Sequence, residues 1–287
     1  MKSDERHMGT RTISGAVIIL VTAILTLLSS YTFALFTLFV AAASICELLK
    51  IAQRGGYSPQ RGVALAISLL IILLNVSLLE IFPFEQAQHL IGQVALFALP
   101  LITIIVLFVE LTRDSRKPLE NSAITLFSII YIGLSMSLVS YIPRLMNGGE
   151  WSGAIMLGYF FLLWANDSFA YLFGVTLGTR PLLKRISPKK SIEGFIGGVI
   201  GTVVISLIAA WVLGGSLRIW VSLSIVVSLS AVVGDLVQSM IKRSFNEKDS
   251  GDIIPGHGGI WDRFDSLLYS IPLAILYLYI LNLLALN

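Results

Sequence analysis

Cysteine is almost missing. Cys46 stands alone, so no intrachain disulfide can form and no thiolate cage can hold a metal; it lies near the end of an apolar run and is read as a core or lipid-facing side chain. Charge is scarce as well: Asp, Glu, Lys and Arg make up 13% of the 287 residues, against about 25% in an average soluble domain. The chain lacks the solvated basic domain that a nucleic-acid partner requires. Its apolar stretches lack the strict polar/apolar alternation of a transmembrane barrel. No small-residue cleavage site follows the first apolar run, which is therefore read as a retained helix and not a signal peptide. Internal repeats and low-complexity segments are missing too.

What is present is long apolar runs, in a chain that is 56% hydrophobic with a mean hydropathy of +0.86. In lipid a segment must satisfy its own backbone hydrogen bonds, and helices do so. The runs predict an all-α polytopic membrane protein with about nine spans, near 13–28, 31–49, 62–82, 94–111, 123–142, 153–177, 192–213, 220–241 and 267–285. Residues 1–12 are read as a short cytoplasmic segment and 13–287 as one membrane domain, with its active part at about 160–270. With the N-terminus inside, eighteen of the twenty Lys and Arg residues fall on the inner side, and only Arg144 and Arg218 outside. That asymmetry predicts a cytoplasmic N-terminus and an outer C-terminus. The segment 80–93, with Glu80, Glu85 and His89, is read as an outer loop that turns the chain.

The polar residues that resist this background converge on the inner side. Asp167 sits well inside an apolar run and Asp235 follows Val233 and Gly234. A charge at mid-bilayer costs about 3 kcal/mol on insertion scales, so such residues face a cavity, a partner or an ion. Asp262 and Asp265 are spaced i, i+3 and share a face if a helix starts there. Side by side they repel unless a cation intervenes, and hard oxygen ligands of this kind suit Mg²⁺ bound jointly with substrate phosphates. Gly256, Gly258 and Gly259 nearby let backbone N–H groups approach an anion. Further upstream, Ser187 suits an N-cap and Pro188 a first helical turn. Lys189 and Lys190 would add full charges to the positive end of that helix, a setting for phosphate. The blander readings are an interhelical hydrogen bond for each lone aspartate, a solvated glycine-rich turn, and a positive-inside anchor for the lysines.

At these positions the chain resembles a known family. The run from Ser239 through Lys242, Arg243, Lys248, Asp249, Pro255, His257, Gly258, Gly259, Asp262, Arg263, Phe264 and Asp265 is similar to the hallmark motif of the phosphatidate cytidylyltransferases, the CDP-diacylglycerol synthases. Asp167 with Ala170, Tyr171 and Gly174 also matches, as does Ser187 to Ser191 with Glu193 and Gly194. The chain departs from the family pattern at Thr179, where a lysine is frequent, and at Ile192, where a tryptophan is frequent. Its N-terminal half resembles the family only in hydropathy.

The resemblance implies the reaction CTP + phosphatidate → CDP-diacylglycerol + pyrophosphate at the cytoplasmic face of a bacterial-type inner membrane. It implies Mg²⁺, with room for a second cation, and allows a homodimer. Asp235 and Asp262 are then the leading metal ligands, followed by Asp265 and Asp249. Lys189, Lys190, Lys242, Arg243, Lys248 and Arg263 would clamp phosphates. His257 with Gly258 and Gly259 would shape the phosphate loop; a catalytic part for His257 and a structural one both stay open. Asp167, Tyr171, Ser187 and Glu193 would contact the nucleotide or a second cation. Three alternatives remain: a CTP-using lipid-alcohol kinase, a transporter lined by Asp167 and Asp235, and a non-catalytic scaffold.

Overall fold

The computed structural model describes residues 2–251, 253 and 258–285, with side chains from Ser14 through Leu284. Among the described residues eight helices are long and apolar enough to cross a bilayer, and the shorter apolar helix Ser14–Leu28 coincides with the first expected span. The protein is an all-α integral membrane protein.

The helices divide into two compact units, one made of Met1–Ser140 with Ser244–Phe264 and one of Tyr141–Arg243 with Asp265–Asn287. The first unit opens with α1 (Lys2–Leu28) and α2 (Ser30–Arg54), joined by the single residue Ser29. A reciprocal capping box holds the joint: the Ser29 side chain accepts from Thr32 N, and Thr32 Oγ1 accepts from Ser29 N. Helix α2 is the core element, with Phe33, Phe36, Val40, Ile45, Leu48 and Leu49 buried. Cys46 is half-buried and its sulfur accepts a hydrogen bond from Arg61 at 3.2 Å.

Helix α3 (Arg61–Ile81) and α4 (Phe84–Leu111) follow. The expected outer loop at 80–93 shrinks to Phe82 and Pro83, because Phe84 through Gln93 are the first turns of α4. Gln and Glu are good helix formers outside the hydrocarbon layer, so the helix starts ten residues before its apolar run.

The next span is interrupted. Helix α5 (Pro118–Ser128) gives way to a π-turn, Ile129–Leu134, and then to α6 (Ser135–Leu138). At Gly133 a Cβ would lie 2.6 Å from Ser68 Cβ of α3, so only glycine permits this approach. The π-turn was not legible in hydropathy. Near the end of α4 Glu110 is buried, accepting from Gln60 Nε2 at 2.7 Å, Arg113 Nη1 at 2.8 Å and Asn121 Nδ2 at 3.3 Å. A buried carboxylate ringed by donors is satisfied.

The second unit comprises α7 (Tyr141–Met146), α8 (Gly153–Leu177), the strands β1 (Pro181–Leu183) and β2 (Ser187–Ser191), α9 (Ile192–Leu213), α10 (Leu217–Ser244) and α11 (Trp261–Ala285) from Asp265 onward. Helices α8 and α9 lie in close contact. The buried residues Gly194, Gly197, Gly198 and Gly201 of α9 form the small-residue face that lets helices approach in lipid. A Cβ at Gly201 would stand 2.6 Å from Phe169 Cβ. Buried side-chain bonds tie the bundle: Tyr159 Oη donates to Ser270 Oγ at 2.7 Å, and Ser228 Oγ donates to Asn166 Oδ1 at 2.6 Å.

The basic stretch before α9 corrects an expectation. Ser187 and Pro188 do not open a helix; they begin β2, which pairs antiparallel with β1. The N-cap is Ser191, whose side chain accepts from Gly194 N at 3.1 Å. Pro188 fits an edge strand as well as a first helical turn, and pairing with β1 decides between the two.

Candidate active site

The residues singled out in sequence fall into two groups, one in each unit. In the second unit a cavity of about 510 Å³ is lined by Asp167, Tyr171, Ser187, Lys189, Lys190 and Asp235, among others. Its volume is that of an ordinary small-molecule pocket.

Each polar lining residue is placed by a local device. Asp167 follows Asn166, whose buried amide is held by Ser228 and packs on Gly198. Asp235 follows Gly234, where a Cβ would meet Tyr269 Cβ at 2.6 Å and the Asp265 carbonyl oxygen at 3.1 Å. The missing side chain therefore lets α10 lie against α11 beside Asp265. Lys189 and Lys190 are carried by β2, and the hairpin is pinned by Glu193. That carboxylate accepts from Thr179 N at 3.1 Å, Thr179 Oγ1 at 2.9 Å, Arg180 N at 3.2 Å and Arg180 Nε at 3.1 Å. Glu193 thus braces the ribbon that carries the lysines, and Thr179 is part of that brace.

Lys190 is the electrostatic centre of the group. It forms an ion pair with Asp235. Burial pushes its ammonium below the usual lysine range, while Asp265 and Asp167 pull it back up and Lys242 pushes it further down. Three carboxylates and two ammonium groups therefore act on one another here. Asp265 is 8% exposed and Lys242 9%, so neither is an ordinary solvated charge. Arg243, beside Lys242 at the end of α10, is exposed.

The first unit holds the remaining group on Ser244–Phe264. Asp262 lies in the first turn of α11, as the i, i+3 spacing required. Its Oδ2 accepts from Ser250 N at 2.8 Å and from Gly259 N at 3.1 Å. Gly258 has φ +84°, a left-handed conformation that glycine adopts without strain. Lys248, Asp249 and Arg263 are exposed. Asp252, Pro255, Gly256 and His257 lie outside the described residues.

One residue here was missed in sequence. Glu47 of α2 is 3% exposed, and it accepts from Ser250 Oγ at 2.7 Å, Ile260 N at 2.8 Å and Trp261 N at 2.9 Å. The only signal for it is a carboxylate two residues inside the end of an apolar run, between Cys46 and Leu48.

The donor set suits a hard divalent cation. The candidates are all carboxylates, and among the described residues no group of three or more His, Cys, Asp and Glu is arranged to hold a metal. Carboxylate oxygens are the ligand type that Mg²⁺ takes, one or two at a time, with water and substrate phosphates completing its shell. In the second unit Asp235 and Asp265 would be the ligands; in the first, Asp262 with Asp249.

Membrane-spanning helices, with carboxylates and lysines grouped at a cavity, define a membrane protein equipped for an anionic, phosphate-bearing substrate. A model of the cytidylyltransferase family matches residues 9–281, and the chain belongs to that family. It is 33% identical over 268 residues to the phosphatidate cytidylyltransferase of Staphylococcus haemolyticus, a match covering 93% of this chain and 97% of the relative. The phosphatidate cytidylyltransferases of Staphylococcus epidermidis and Staphylococcus aureus are 32% identical over the same spans.

Proposed function

We propose that the chain transfers the cytidylyl group of CTP to phosphatidate, giving CDP-diacylglycerol and pyrophosphate. A phosphate oxygen of phosphatidate attacks the α-phosphorus of CTP; the new P–O bond forms as the bond to the β-phosphate oxygen breaks, and pyrophosphate leaves. The phosphatidate oxygen is already anionic near neutral pH, so little base catalysis is needed. The barrier is the meeting of two polyanions, and positioning with charge neutralisation lowers it. Bound Mg²⁺ would supply charge neutralisation on the CTP phosphates.

The chain's own residues do the rest. Lys189 and Lys190 bind phosphate at the cavity. Lys242 and Arg243, and in the first unit Lys248 and Arg263, are further phosphate ligands. Asp167, Tyr171 and Ser187 orient the nucleotide. The grouping of Lys190 with Asp235, Asp265 and Asp167, in a chain whose relatives carry this activity by name, is the observation that supports the reading. Labelled CTP tests it. With purified protein, phosphatidate and Mg²⁺, label on the α-phosphate is expected in the lipid product and label on the γ-phosphate in pyrophosphate. Transfer of the γ-label to lipid would assign a kinase instead.

The site is proposed to face the cytoplasm from a bacterial inner membrane, on the strength of the Lys and Arg asymmetry. In a Cys46→Ala background, a reporter cysteine at Gly149 is expected to react with an impermeant maleimide added outside intact cells. One at Arg185 is expected to react only after permeabilisation. The reverse pattern would invert the topology.

A further inference from the structure

We infer that Glu47 is a positioning residue that sets the carboxylate of Asp262 through Ser250 and Gly259. The inference rests on the reading that Asp262 serves the transfer reaction.

Glu47 comes from α2, more than 200 positions before the loop it holds. It presents a buried, acceptor-only group to three donors. Oε1 takes Ile260 N; Oε2 takes Trp261 N and Ser250 Oγ. Two of these donors are backbone N–H groups at the start of α11, which have no partner within their own helix. Capping from a distant helix is one effect of the carboxylate, and it ties the first turn of α11 to α2.

The second effect runs through Ser250. Its hydroxyl donates to Glu47, and its backbone N–H donates to Asp262 Oδ2. Gly259 closes the same circuit. Its N–H donates to the same Asp262 oxygen, and a Cβ on it would lie 2.6 Å from Glu47 Cδ. Gly251 is packed likewise, with Glu47 Oε1 3.1 Å from where its Cβ would stand. Both N–H groups that aim Asp262 thus belong to residues fitted around the Glu47 carboxylate. A change at Glu47 reaches Asp262 without touching it.

The test compares Glu47→Gln with Ser250→Ala, which keeps Glu47 and its two backbone bonds and severs only the hydroxyl arm. In Glu47→Gln the amide nitrogen is a donor facing donors, so part of the network is lost. The expected result is a fall in kcat of about tenfold with KM for phosphatidate within about twofold of wild type. The Mg²⁺ concentration for half-activation should rise severalfold in both variants. The double variant should be no worse than Glu47→Gln alone, because both act along one path.

A readout independent of turnover is amide exchange. Ile260 and Trp261 amides should exchange faster in Glu47→Gln while the α2 and α3 amides keep wild-type protection. Unchanged Mg²⁺ half-activation in both variants would overturn the inference, as would activity lost only in proportion to folded protein. The underlying reading fails differently. Full activity in Asp262→Asn would remove Asp262 from the reaction, yet the exchange effect at Ile260 and Trp261 would persist.

Discussion

Asp235→Asn is expected to lower CDP-diacylglycerol formation by at least about 100-fold while the protein still inserts, purifies and melts as a folded species. Asparagine keeps the shape of the side chain and removes its charge. Asp235 lines the cavity and is ion-paired to Lys190, so the substitution acts twice. On the proposed reading it would withdraw a hard anionic oxygen from Mg²⁺, and it leaves Lys190 to Asp265 and Asp167, which also act on it. Gly234 keeps α10 seated on Tyr269 and Asp265 in either case, so the helix itself has no reason to move. The measurement is turnover across a Mg²⁺ titration, beside a thermal melt in detergent. Wild-type turnover in the variant would take Asp235 out of the metal-binding set.

Lys190→Met should reduce kcat/KM for CTP by about 100-fold, the usual loss when one preorganised donor to a phosphoryl group is removed. Methionine keeps the apolar stem that lies along the cavity and deletes the ammonium. The remaining charges then work against one another, because Asp235, Asp265 and Asp167 lose the cation they share. The variant is therefore expected to melt at a lower temperature as well. Lys190→Arg should recover part of the activity, since it restores charge with a different reach. Arg185→Gln, at the exposed tip of the same hairpin, should stay within about twofold of wild type. Equal losses at Lys190 and Arg185 would mean that the ribbon acts as a diffuse basic surface, not through a placed ammonium.

The bilayer made most of the fold legible. Every expected span has its helix, because hydropathy reads the hydrocarbon layer directly. Helix ends are a different matter. Helix α4 begins at Phe84 and α11 at Trp261, well before their apolar runs at 94 and 267, since polar turns stay helical outside the lipid. The π-turn at Ile129–Leu134 was hidden because hydropathy does not report contacts between helices, such as the approach of Gly133 to Ser68 within it.

Of the site, the residue types were legible and their partners were not. Asp167, Ser187, Lys189, Lys190 and Asp235 do share one cavity. Asp262 does start a helix. Ser187 with Pro188 read as a helix start because the cap signal is local, while the strand pairing that overrides it needs β1. The bonds that Glu193 accepts from Thr179 and Arg180 were not legible, because nothing in its own neighbourhood shows them. Glu47 was missed for the same reason on a longer scale: its donors are Ser250, Ile260 and Trp261.

The hold of Glu47 on the loop bears on what the N-terminal half is for. That half carries none of the recognisable motif and looks like mere anchorage. Yet a graft of the motif onto another helical membrane scaffold would bring the loop without its clasp, and a survey of functional residues confined to the motif would omit the carboxylate that shapes it. The signature is better regarded as one jaw of a clamp whose other jaw is written two hundred positions earlier.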